Sequence, residues 1–168
     1  MRRFIITLIY IAFFWILLPF ALLYPSLILD RRLGLKLGRS TVNTILGVIL
    51  SSVSAVMLAL SILDFRKGAQ KLPITALPPY DKIVTQGVYS YWRHPVYLFY
   101  TLLFAGVGLM LRSGGLLFVV LPLFSILESV HAYIEELYLV NKHGEAYRRY
   151  KRETGVVIPR FKKRVSFP

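Results

Sequence analysis

The chain has 168 residues, 56% of them hydrophobic and 17% charged, with a mean hydropathy of +0.59, and a water-soluble domain of that composition lacks the polar surface to cover itself. Its net charge is +13, from 21 Lys and Arg against 8 Asp and Glu, a balance that in a soluble protein points to nucleic acid. The absence of cysteine excludes disulfides, thiolate metal sites and iron–sulfur clusters, and three histidines are too few for a membrane di-iron enzyme.

Residues 4–29 carry no charge, enough at about 1.5 Å per residue to cross about 30 Å of hydrocarbon. A signal peptide fits poorly, because the apolar stretch is too long and no small-residue cleavage site follows. Pro19 and Pro25 are expected to kink or end this helix. Residues 40–63 form a second uncharged run, rich in Ser, Ala and Gly, and should pack inside a bundle. Charges, glycines and Pro73, Pro78 and Pro79 then mark a long surface loop over 64–93.

A third run spans 95–111, with Pro95 suited to a first helical turn. Arg112-Ser-Gly-Gly115 makes a tight turn, and a fourth apolar segment starts at Leu116. It meets Glu128, His131, Glu135 and Glu136 before Gly144 ends it. The expected fold is an all-α integral membrane protein of about four transmembrane helices, in one membrane domain. It comprises an N-terminal hairpin (1–63), a cytoplasmic loop (64–94), a second hairpin bearing the site (95–143) and a basic tail (144–168).

Four spans place 16 of the 21 cations on one side with both termini, and the positive-inside rule makes that side cytoplasmic. The four cations of the first loop run against this count. The tail's position after a membrane span favours anionic lipid headgroups over nucleic acid.

Two constellations have the residue types for chemistry. Glu128, His131, Glu135 and Lys142 fall on one stripe of the fourth helix, roughly 60° wide, with Glu136 and His143 on its edge. They outline a polar pocket beneath the membrane surface, or, more plainly, glutamates in the headgroup layer opposite arginines. Glu128-x-x-His131 has the spacing of a metal ligand pair, but no other span supplies the partners, so no metal is expected. The stretch 84–97 gathers Tyr89, Tyr91, Trp92, Arg93, His94 and Tyr97 before the third helix. This reads either as an aromatic belt or as a site with cations for a carboxylate and tyrosine faces for a sulfonium or ammonium. Gly106-Val-Gly108 lies inside an apolar helix and reads as helix packing, not a dinucleotide loop.

Arg93-His-Pro-Val-Tyr97, followed 37 residues beyond Tyr97 by a hydrophobic residue and Glu135-Glu136-x-x-Leu139, resembles the membrane methyltransferases that include isoprenylcysteine carboxyl methyltransferase and phosphatidylethanolamine N-methyltransferase. Their paired signature is RHPxYxG and EExxL. The approach over 83–89, the Gly144-Glu-Ala-Tyr-Arg-Arg-Tyr150 segment and Ile158-Pro159 are similar too, so the likeness covers about half of the chain. It implies S-adenosylmethionine bound at the cytoplasmic face, becoming S-adenosylhomocysteine, and a lipid-like or prenylated acceptor entering from the bilayer.

Carried over by position, the cofactor contacts fall on Asp81, Lys82, Ile83, Val84, Tyr89, Arg93, His94, Pro95, Val96, Tyr97 and Glu135. His131 stands where the prenylcysteine enzymes have a substrate-binding arginine, and Phe99 stands where the signature has glycine. A histidine is a weaker, pH-dependent grip on a carboxylate. A carboxylate acceptor needs no base, whereas an ammonium must lose a proton, for which His131 and Glu136 are the candidates. The expected reaction is methyl transfer most like isoprenylcysteine carboxyl O-methylation. Phospholipid amine N-methylation is the alternative, and a small non-enzymatic membrane protein or transporter is the rival of another class.

Overall fold

The computed structural model describes residues 12–69 and 82–160. The start of the first apolar run, the prolines of the long loop, Asp81 and the last basic cluster of the tail lie outside the described residues. Among the described residues five α-helices form: α1 (Leu18–Leu33), α2 (Thr41–Ala69), α3 (Pro95–Leu111), α4 (Leu121–His143) and α5 (Glu145–Glu153). Single π-helical turns, Phe13–Leu17 and Leu116–Val120, lead into α1 and α4, and a 3-10 turn, Gly87–Ser90, precedes α3. Among the described residues there is no strand, only the isolated bridges Lys36–Ser113 and Trp92–Gly155.

Two helical stretches, Thr41–Ala69 and Leu116–His143, are long and apolar enough to cross a bilayer, and Pro95–Leu111 is apolar but shorter. Large apolar side chains such as Ile49, Val53, Val56, Phe118, Leu123, Ile126, Leu127 and Ile134 are exposed. In water such faces would drive aggregation, whereas lipid tails satisfy them. The chain is membrane-associated.

Helix α1 does not stop at Pro25 but continues to Leu33, where Gly34 takes the left-handed cap (φ 64°). Beside the proline, the buried Ser26 hydroxyl donates to the Leu23 carbonyl at 2.7 Å, while the carbonyl the proline frees is that of Ala21, four residues back. The small residues of α2 do not bury it all round. Gly47, Ser54, Leu58, Ser61 and Phe65 form one buried stripe, and the rest faces outward because hydrocarbon solvates it as well as protein would.

Against α3 this stripe makes a close crossing. A Cβ on Gly47 would lie 2.7 Å from the Gly106 carbonyl, and one on Gly106 would strike Ser51. The Ser51 hydroxyl donates to Leu103 O at 3.3 Å, and Gly108 packs on Leu117. Leu22, Leu58, Phe99, Phe104, Leu116 and Leu121 form the core among the first four helices.

One end of the bundle is laced by Leu37 N–H to Arg112 O at 2.8 Å, Gly114 N–H to Leu35 O at 3.1 Å, and Gly115 N–H to the buried Asp30 Oδ1 at 2.7 Å. The other end holds a second core of Phe65, Val84, Tyr89, Leu139, Tyr147 and Tyr150. Two sequence expectations change there. Residues 64–69 are helical rather than loop, and the first part of the tail is α5, which buries Tyr147 and Tyr150.

Candidate active site

The segment between α2 and α3 is shaped from Asp64 outward. Its Oδ2 accepts the Val88 N–H at 2.9 Å, and its carboxylate occupies the place a Cβ on Gly87 would need, while Gly87 has φ 59°. Only glycine suits both demands. The turn sets Tyr89 against Phe65, ring centroids 5.7 Å apart, and delivers Trp92, Arg93 and His94 to the start of α3.

The C-terminal segment holds this loop in place. The Tyr150 hydroxyl donates to Tyr89 O at 2.7 Å, Trp92 Nε1 to Val157 O at 2.9 Å, Arg93 N–H to Gly155 O at 2.8 Å and Gly155 N–H to Tyr91 O at 3.0 Å. Burial is the main cause that raises the pKa of Tyr147 and Tyr150 above the ordinary tyrosine value, and the charge of Glu136 adds to both.

Two polar groups meet where α3 and α4 approach. In the first, Arg93 Nε donates to Glu136 Oε1 at 2.7 Å, and Nη1 donates to the carbonyls of Lys151 (2.9 Å) and Thr154 (2.6 Å). Lys151 Nζ lies 2.6 Å from Glu136 Oε2, and His94 Nε2 is 3.2 Å from Oε1. Every cationic neighbour of Glu136 is therefore also a tie between α4, the loop and α5.

In the second, the His94 and Tyr97 rings stack at 5.5 Å and 1°. His94 Nδ1 is 3.6 Å from Glu135 Oε2, to which the Tyr97 hydroxyl donates at 3.3 Å, and the same hydroxyl is 2.8 Å from His131 Nδ1. Further along the stripe, Thr101 Oγ1 donates to Glu128 Oε2 at 2.5 Å.

The structure thus brings together Arg93, His94, Tyr97, His131, Glu135 and Glu136. Pro95 is fully buried, Val84 and Tyr89 belong to the second core with Ile83 packed on it, and Val96 packs on the first core. Lys82 is exposed at the edge of the described segment. Glu128 and His131 bond to different neighbours, Thr101 and Tyr97. Phe99 points into the core, edge-on to Trp92 at 5.3 Å, away from the polar groups. An open groove on a neighbouring face of α4 is lined by Ser125, Ile126, Ser129, Val130 and Tyr133.

Sequence reading missed Asp64, Thr101, Lys151 and Tyr150. Tyr147 and Tyr150, three residues apart among charges, were the available sign that the tail has a buried helical face. Two parallel aromatic rings beside an accepting carboxylate suit an organic cation that also carries an ammonium or hydroxyl donor.

A model of the phospholipid methyltransferase family matches residues 42–146, a span that includes both polar groups except Lys151 and Thr154. The chain belongs to this family. Over 73 residues, 44% of the chain, it is 36% identical to a methanethiol S-methyltransferase of Pseudomonas sp. (strain GM41(2012)), of which the match spans 27%. No solved structure matches significantly. Within the family's matched span lie the arginine-histidine-proline segment and the paired glutamates, while α1 and nearly all of α5 fall outside it.

Proposed function

We propose that this chain is a methyltransferase that uses S-adenosylmethionine and methylates an amphiphilic acceptor at the membrane. The observation that carries the reading is the convergence of His94, Tyr97 and Glu135, from two segments 38 residues apart, into one aromatic and anionic corner. The stacked rings offer faces to a sulfonium, and the Glu135 carboxylate offers an acceptor to an amino group. When bound, the cofactor supplies an activated methyl group, so in-line displacement asks the protein chiefly for alignment and exclusion of water.

The Arg93–Glu136–Lys151 group is the frame that keeps α4, the loop and α5 in register around that corner. Glu136 therefore acts as a positioning residue. His131, exposed beside Tyr97, faces the acceptor. Family membership and the charge distribution support a multi-pass topology with the termini and the site in the cytoplasm, since 16 of the 21 cations fall at that end of the four-span arrangement. There Arg148 and Arg152 expose a basic surface to anionic headgroups, though each also approaches Glu145.

For the acceptor, prenylcysteine carboxylate rests on the resemblance alone. His131 stands between Glu128 and Glu135 on the α4 stripe, which disfavours an anion and favours an amine lipid, as the family description suggests, or a thiol, as the relative's name suggests. The test is incubation of the purified protein with methyl-labelled S-adenosylmethionine and, separately, amine phospholipids, prenylcysteine analogues and small thiols, followed by mass identification of the product. Label on an amine lipid or thiol is expected. No label on any acceptor, together with substrate-linked proton movement in vesicles, would favour a transporter.

A further inference from the structure

The Tyr97 hydroxyl has one proton and two neighbours, His131 Nδ1 at 2.8 Å and Glu135 Oε2 at 3.3 Å. An ionised carboxylate can only accept. Both contacts are hydrogen bonds when Tyr97 donates to Glu135 and His131 donates an Nδ1 proton to the Tyr97 oxygen. Neutral His131 then keeps its lone pair on Nε2.

We infer that Glu135 and Tyr97 form a relay that fixes His131 as the Nδ1–H tautomer, making its Nε2 the general base for an acceptor that must lose a proton on methylation, a thiol or an ammonium. This rests on the proposed methyl transfer and assigns the proton step within it. Glu136 is unavailable for that task, because Oε1 is taken by Arg93 and His94 and Oε2 by Lys151. His131 is exposed, so its outer nitrogen is accessible to an incoming group.

In the step, the acceptor's X–H bond breaks and the proton bonds to His131 Nε2. The electron pair left on X forms the bond to the methyl carbon, and the pair of the breaking sulfur–methyl bond stays on the donor sulfur. The sulfonium charge is thereby lost while the imidazole gains one. Thiols and amines are mostly protonated at neutral pH, so a base at this point matters for them and not for a carboxylate. Among the described residues, the titratable groups around His131 are Tyr97 on α3 and, on α4, Glu128 one turn before and Glu135 one turn after, with His94 behind Glu135; Glu128 accepts from the Thr101 hydroxyl.

The experiment is nitrogen NMR of the full chain in detergent, labelled at histidine and free of donor and acceptor, with His131→Gln identifying the resonance. Neutral His131 should be mainly the Nδ1–H form, and Tyr97→Phe should shift it toward Nε2–H. A wild-type His131 found as Nε2–H overturns the relay, whether or not the variant folds. In parallel, His131→Gln should lower kcat for a thiol or amine about 10²–10⁴-fold with donor KM changed only a few-fold. An unchanged kcat also overturns it. Because the tautomer is read without donor, failure of the relay is distinguishable from failure of methyl transfer itself, which would appear as no labelled product from any acceptor.

Discussion

Arg93 and Glu136 are joined at 2.7 Å across 43 residues of sequence, and the same guanidinium binds the carbonyls of Lys151 and Thr154. Both side chains are about nine-tenths buried. Removing one partner of such a pair leaves an uncompensated charge, at a cost of about 3–5 kcal/mol. Glu136→Ala should therefore lower thermal stability markedly, whereas Arg93→Ala in the same background should add much less than it costs alone. A double-mutant cycle by thermal unfolding in detergent checks this, and additive losses would separate the two residues.

The paired tyrosines of α5 give the chain an alkaline weakness. Burial raises the pKa of both Tyr147 and Tyr150, so the unfolded chain releases these protons at lower pH than the folded one. Their contribution is fully present below the ordinary tyrosine value of 10.0 and is lost as pH rises through and beyond it. Stability should fall above about pH 10, and a Tyr147→Phe, Tyr150→Phe double variant should show a flatter decline. Its baseline below pH 10 should be lower by about 1 kcal/mol for the hydrogen bond from Tyr150 to Tyr89 O. Unfolding midpoints across pH 8–11 measure both effects.

The α2–α3 crossing depends on absent side chains. Gly106→Leu would push into Ser51 and the Gly47 carbonyl, and overpacking of this kind costs about 1–3 kcal/mol or more. A Cβ on Gly38 would meet no atom within 4 Å, so Gly38→Ala should be nearly neutral. Comparing the two unfolding temperatures is a direct check.

Phe99, the departure from the family's glycine, should not be reversed to advantage. Its ring fills the first core and meets Trp92 edge-on, and removing a buried phenyl costs about 3–5 kcal/mol. Phe99→Gly should destabilise the protein without tightening binding of S-adenosylhomocysteine, measured by calorimetry.

The sequence made the apolar helices legible because long uncharged runs have few other uses, and it made the site's two poles legible because Arg93-His-Pro-Val-Tyr97 and Glu135-Glu136 carry a specific resemblance. It did not separate the roles of the glutamates. Glu135 and Glu136 are adjacent, yet a rotation of about 100° turns one toward Tyr97 and the other into Arg93 and Lys151. The tail read as a basic flank because its eight cations outnumber its two acids, while two tyrosines decide where it packs. Pro25 was read by the rule that a proline kinks or ends a helix, yet α1 continues past it to Leu33; the small residues of α2 were read as packing residues, and they pack on one face only, because lipid covers the rest.

The central claim is that His94, Tyr97 and Glu135 form the seat of the methyl donor, and its most direct test is binding of S-adenosylhomocysteine to the purified protein. Wild type should be stabilised against heat in proportion to ligand concentration, and Glu135→Gln should bind at least about tenfold more weakly, a loss of about 1.4 kcal/mol. Equal affinity in the two proteins, or no stabilisation of the wild type, would contradict it.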